Sequence, residues 1–216
     1  MCIAAAMAMV FPMAYAAGYN ADKLLKTLTQ RWGPSTASRF QEWQKTVDEA
    51  KQMPSVEQKL QKINDFWNKR IQFMDDPEAW GLPDYWATPM ESLGHEKGDC
   101  EDFAIAKYFT LLAANLEVAQ LRLIYVKAKI GGASSSIVQA HMVLGFFKTP
   151  DAEPLILDNL LNDIHPASRR PDLVPVFSFN SQGISAGTAA GGSTSGTNRL
   201  SRWEDLLTRA KAEGFE

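Results

Sequence analysis

Cys100 stands in the run Gly98-Asp99-Cys100-Glu101-Asp102, one thiol among three carboxylates. Buried core cysteines rarely keep such company, and a thiol that loses its proton is a strong nucleophile. Phe103, Ala106, Tyr108, Leu111 and Leu112 follow at helical spacing, which predicts a helix over 99–116 with Cys100 at its start. The unpaired N–H groups and dipole of a helix N-terminus favour the thiolate. Asp99, Glu101 and Asp102 oppose it, because nearby negative charge disfavours a second anion. A working nucleophile here needs a base to take the proton and a cation to neutralise the carboxylates.

The chain has three histidines. His95 lies in a glycine-flanked loop just before Cys100, and His165 precedes Pro166 in a connecting segment. His141 sits inside the apolar run Gln139-Ala140-His141-Met142-Val143. A strand holds a catalytic side chain more accurately than a loop does, which favours His141. A lone strand histidine is more often a satisfied core residue; Cys100 is what raises it above that reading. Asp158 ends the run Pro154-Leu155-Ile156-Leu157, where a carboxylate can accept the imidazole N–H and fix its tautomer. Asn159 is a rival orienter, and a plain strand-end turn residue is the bland alternative. Cys100, His141 and Asp158 would put nucleophile, base and orienter on separate rigid elements.

The elements that must hold them are legible in outline. Residues 22–53 divide at Gly33-Pro34-Ser35, and Phe40, Trp43, Val47 and Ala50 mark an amphipathic helix after the break. Residues 55–74 repeat Val56, Leu60, Ile63 and Trp67, with Ser55 and Gln58 forming a capping-box pattern. Residues 75–98 read as a loop with Trp80, Tyr85 and Trp86 interleaved. Strands are predicted over 121–130, 137–147 and 154–159, with a short fourth over 172–180. Residues 201–212 read as a closing helix capped by Ser201. Helices first, then strands, is an α+β order with an antiparallel sheet.

The 216-residue length suits one domain, and 45% hydrophobic residues exclude a disordered chain. A net charge of −3 gives no basic footprint, so nucleic acid is not an expected partner. Residues 1–17 carry no charge, contain Pro12 and end in Ala14-Tyr15-Ala16. This is read as a signal peptide cut after Ala16 or Ala17, although no positive residue precedes the apolar run. A mature chain from residue 18 is then expected, exported, without a membrane span. Cys2 would leave with the signal, so the two cysteines reduce to one lone thiol in an oxidising compartment.

GDCEDFAIAKYF, followed by QAHMVL and LILDN and preceded by WATPMESL, resembles the LapG-type periplasmic bacterial transglutaminase-like cysteine proteinases. The resemblance covers roughly residues 22–180 and the segment 199–203. It implies a papain-like core, a calcium-dependent endopeptidase, and Cys100, His141 and Asp158 as nucleophile, base and orienter. It implies cleavage of a large surface adhesin near its N-terminus at a di-alanine site, which disperses biofilm. An inner-membrane cyclic-di-GMP receptor of LapD type would sequester the protease. Asp99 and Glu101 match the family's calcium positions, with Asp102 as a third. Calcium takes about six to eight oxygens, so loop carbonyls or waters must complete the shell.

The backbone N–H of Cys100 and one further donor would hold an oxyanion, Trp86 being a candidate whose plainer role is packing. A transglutaminase-like acyl transferase uses the same three residues, and a non-catalytic binding module on the same fold is the other alternative. Residues 181–198 are rich in Gly, Ser, Thr and Ala and read as a flexible loop. That loop contains Thr188-Ala189-Ala190-Gly191, a di-alanine sequence best read as a product of composition.

Overall fold

Apolar residues on every face of one predicted helix require it to be surrounded. In the computed structural model, which describes residues 18–188 and 201–216, that helix is the hub. Helices α1 (Ala21–Trp32), α2 (Ala37–Gln52) and α3 (Val56–Arg70) come first in the chain. Ser55 caps α3 by accepting the Gln58 N–H at 3.3 Å, as the sequence pattern predicts. The region expected as loop over 75–98 instead carries two short helices, α4 (Asp76–Ala79) and α5 (Pro89–His95), and a two-residue strand β2 (Lys97–Gly98) paired with β1 (Gln72–Phe73). Elements this short show no usable hydrophobic period. What makes α5 is a complete capping box: the Thr88 side chain accepts from Glu91 N–H, the Glu91 side chain accepts from Thr88 N–H, and Pro89 opens the helix.

The central helix α6 (Cys100–Ala113) is buried from Asp102 to its end. Thr110 locks two other helices onto it: its Oγ accepts the indole N–H of Trp43 from α2 and of Trp67 from α3, each at 2.9 Å. The same hydroxyl donates to the Ala106 carbonyl at 2.7 Å, so its bonding capacity is met in a water-free place.

Opposite α6 lies a six-stranded antiparallel sheet. It comprises β3 (Leu121–Lys129), β4 (Val138–Phe146), β5 (Leu155–Leu157), β6 (His165–Pro166), β7 (Leu173–Asn180) and β8 (Gly183–Ala186), in the order β6-β5-β4-β3-β7-β8. Leu123, Met142, Leu144 and Phe179 join α6 in one apolar core, while Ile124, Val126, Val143 and Ile156 form a smaller cluster on the opposite face of the sheet. The expected α+β architecture is therefore present. Part of the expected loop over 181–198 is ordered as β8, in a hairpin with β7. The closing helix α7 (Ser201–Glu213) packs back with Trp203 and Leu206 buried. The expected signal segment 1–17 and Ala189-Ala190-Gly191 lie outside the described residues. Among the described residues, no helix is long and apolar enough to cross a membrane.

Candidate active site

Cys100 is the first residue of α6, and its backbone is set by the turn before it. Met74 N–H donates to the Gly98 carbonyl at 2.9 Å, anchoring that turn to β1. Gly98 has no room for a side chain: an added Cβ would meet Asp102 Oδ2 at 2.3 Å. Cys100 and His141 line one cavity of about 630 Å³, together with Asp76, Asp99, Glu101 and Trp86.

On one side of the thiol the charges are satisfied. His141 Nε2 meets Asp158 Oδ1 at 2.7 Å, both residues buried. With Nε2–H directed at the carboxylate, Nδ1 is the nitrogen left to accept a proton. Asp158 also receives Arg170 Nη2 on Oδ2 at 2.7 Å and the Leu160 N–H on Oδ1 at 3.1 Å. Asn68 of α3 fixes its backbone by donating to the Asp158 carbonyl at 2.8 Å. Burial alone would raise this carboxyl, but the hydrogen bond and charge of His141, then Arg170, outweigh it and hold it at about 2.

On the other side they are not. The thiol of Cys100 donates to Glu101 Oε2 at 3.1 Å. Burial first, then the charges of Glu101 and Asp99, push the thiol up; the Met142 backbone N–H opposes them. Burial and Glu101 push Asp99 up to about 10, and burial pushes Asp76 up to about 6. Asp76, Asp84 and Glu101, and likewise Asp76, Asp99 and Asp102, bring one oxygen each to within 4.8 Å of the others. Oδ1 of Asp76 and Oδ1 of Asp99 are buried without a hydrogen-bond partner. Buried, unpaired hard oxygens converging in this way fit a divalent cation of calcium type. Asp102 also has a structural duty: Oδ1 accepts the Ala87 N–H at 2.8 Å and Oδ2 the Trp80 indole N–H at 3.1 Å.

Cys100 and His141 thus line one cleft, with Asp158 hydrogen-bonded to His141 and the acidic cluster beside the thiol. Asn159 does not orient His141; its Oδ1 has no partner. His95 packs against Trp80, ring centroids 4.7 Å apart, and His165 lies in β6. Trp86 stacks on Phe179 and lines the cleft. Sequence reading missed Arg170, Asp76, Asp84 and Lys107. Lys107 is one heptad after Cys100 on α6, fully buried, and burial lowers its amine to about 7 while Asp158 opposes that. Its place among the apolar residues 103–109 of that helix was a visible signal. Arg170 gave none beside Arg169.

Comparison with known proteins identifies the family. The sequence pattern of the bacterial transglutaminase-like cysteine proteinases, BTLCP, matches residues 34–171. Legionella pneumophila LapG is 38% identical over 90% of this chain and 99% of its own, with a TM-score of 0.74. Its calcium-bound form is 40% identical over 88% and 98%, TM-score 0.74, and its EGTA-treated form 38% identical over 90% and 99%, TM-score 0.75. No curated protein sequence matches. The chain, a mixed α/β fold with its thiol lining the cleft, belongs to the bacterial transglutaminase-like cysteine proteinase family.

Proposed function

We propose that the protein is a calcium-dependent cysteine endopeptidase of the periplasm that cuts a large surface adhesin near its N-terminus at a di-alanine site. The observation that carries this reading is the hydrogen-bonded His141–Asp158 pair opening on the cleft that Cys100 shares with an unneutralised acidic cluster. Release of the adhesin would disperse biofilm, and a LapD-type cyclic-di-GMP receptor of the inner membrane would sequester the enzyme.

In the proposed mechanism His141 Nδ1 takes the Cys100 proton and the thiolate attacks the peptide carbonyl carbon. The Cys100 N–H at the helix start, with Trp86 as second donor, stabilises the oxyanion. The C–N bond breaks, the proton on His141 passes to the leaving amine, and a thioester remains on Cys100. Water, deprotonated by His141, hydrolyses it. Asp158 holds the imidazole throughout.

Asp99, Glu101, Asp76 and Asp84 would hold calcium, with Asp102 close enough to contribute. The ion would neutralise charge beside the thiol and draw Glu101 away from it. The test is incubation with an adhesin N-terminal fragment carrying the di-alanine site, in calcium and in chelator, read by mass spectrometry. One cut at Ala-Ala, lost in chelator and with Cys100→Ala, is expected. Intact fragment in calcium, or cleavage by Cys100→Ala, would overturn the reading. Amide transfer without chain cleavage would assign acyl transfer instead.

A further inference from the structure

Strand β4 is paired along its whole length on one side and only near its end on the other. Toward β3 the register runs unbroken from Leu121↔Phe146 to Lys129↔Val138. Toward β5 it covers Leu144, Gly145 and Phe146 alone. In an antiparallel ladder alternate residues turn both backbone groups to the same neighbour. Two hydrogen bonds show which: Ile130 N–H donates to the Ile137 carbonyl at 2.9 Å, and Phe147 N–H to the Gln120 carbonyl at 2.7 Å. The odd-numbered residues of β4 therefore face β3, and the even-numbered ones face the β5 side. Leu144 and Phe146 meet β5 there, and the Met142 N–H is directed at the Cys100 sulfur. Val138 and Ala140 remain, exposed, with no strand beside them among the described residues.

A bare strand edge is a template for pairing with another chain. This one is continuous with the cleft, whose lining includes Ala140 and Met142 as well as Cys100. Resting on the peptidase reading, we infer that the Val138–Ala140 edge binds the peptide substrate as an added β-strand, pairing its backbone with both residues while the scissile carbonyl lies at Cys100. Main-chain pairing supplies affinity without regard to side-chain identity, so the substrate segment must be extended and free of proline at the paired positions. Leu160 and Phe73 line the same cleft and are more than half exposed, so side chains of the docked strand meet apolar surface. The substrate class is thus an unfolded or linker-like stretch of protein.

Ala140→Pro tests this directly, because it removes an N–H that faces no strand of the protein, and proline is tolerated at such an edge. The expected variant melts like the wild type and is alkylated at Cys100 by iodoacetamide at the wild-type rate. Its kcat/KM for a short synthetic peptide carrying Ala-Ala falls, through KM, by about three- to tenfold for the hydrogen bond lost. A variant that melts and alkylates normally yet cleaves the peptide as fast as wild type overturns the inference. Should the variant misfold, single N-methylation along the peptide decides: at least one sensitive amide within a few residues of the scissile bond supports the edge, and none overturns it. If the wild type cleaves no peptide, the peptidase reading is what has failed. The edge is then judged by amide exchange in Cys100→Ala with the same peptide: slowed exchange at Ala140 and Val138 supports it, and unchanged exchange overturns it.

Discussion

The two flanks of Cys100 solve the same problem in opposite ways. Both bury carboxylates. On the His141 flank Asp158 has a partner for each oxygen, and its carboxyl is held at about 2. On the Glu101 flank Asp76 and Asp99 each leave a buried oxygen unpaired, and their carboxyls rise to about 6 and about 10. The first flank carries its own counter-charges, His141 and Arg170. The second has Arg202 on Asp84 at 2.9 Å but, among the described residues, no cation on Asp76, Asp99 or Glu101. A built-in cation makes the base side permanent; the proposed calcium would make the nucleophile side conditional.

The comparison yields tests of decreasing size. His141→Ala removes the proton acceptor and should lower kcat/KM by at least about 10⁴-fold, with or without calcium; residual activity that calcium restores would merge the two flanks. Arg170→Met leaves Oδ2 of the buried Asp158 carboxylate without its partner and should cost about 3 kcal/mol in urea unfolding. An unchanged midpoint would show that the flank does not depend on its built-in cation.

Acid titration separates the flanks by sign. Asp158 has a folded pKa below its unfolded value, so its stabilisation, about 2 kcal/mol, is present above about pH 4 and is lost as pH falls through about 2. Asp76 has a folded pKa raised to about 6, so the folded state binds the extra proton and calcium-free stability should fall as pH rises from about 4 through 6. Thermal melting in chelator should therefore peak between these windows, and Asp76→Asn should make the decline above the peak shallower, the raised Asp99 and Asp102 carrying the rest. A flat profile from pH 4 to 7 would count against an unneutralised acidic flank.

The last test is at Asp99. Burial and Glu101 raise its carboxyl, so without calcium its ionisation opposes folding at neutral pH, and Asp99→Asn should raise the melting temperature in chelator. In calcium at about a hundred times the dissociation constant, the wild type should gain about 2.7 kcal/mol and the variant less. Equal gains would remove Asp99 from the calcium set.

Much of the architecture was legible because its signals are local. The apolar run after Asp99 announced α6, Ser55 and Gln58 announced the start of α3, and alternating residues announced β3 and β4. Helices α4 and α5 were hidden, because segments of four and seven residues show no period; the cause of α5 is a capping box whose Glu91 is buried against Arg31, Arg209 and Tyr85. Tyr85 comes from the preceding loop, but Arg31 and Arg209 come from α1 and α7, far away in the chain.

The site divides along the same line. Residue type and local position name Cys100 as a candidate nucleophile, His141 and Asp158 as its candidate partners, and Asp99 and Glu101 as an acidic surround, because helix-terminus electrostatics and side-chain chemistry act within a few residues. Which charges cancel is a matter of three-dimensional proximity. Only packing chose Arg170 over Arg169 for Asp158, brought Asp76 and Asp84 to Glu101, and ended β5 early enough to leave the β4 edge bare. Coulombic and hydrogen-bond energies depend on distance in space, and the fold sets that distance without regard to separation along the chain.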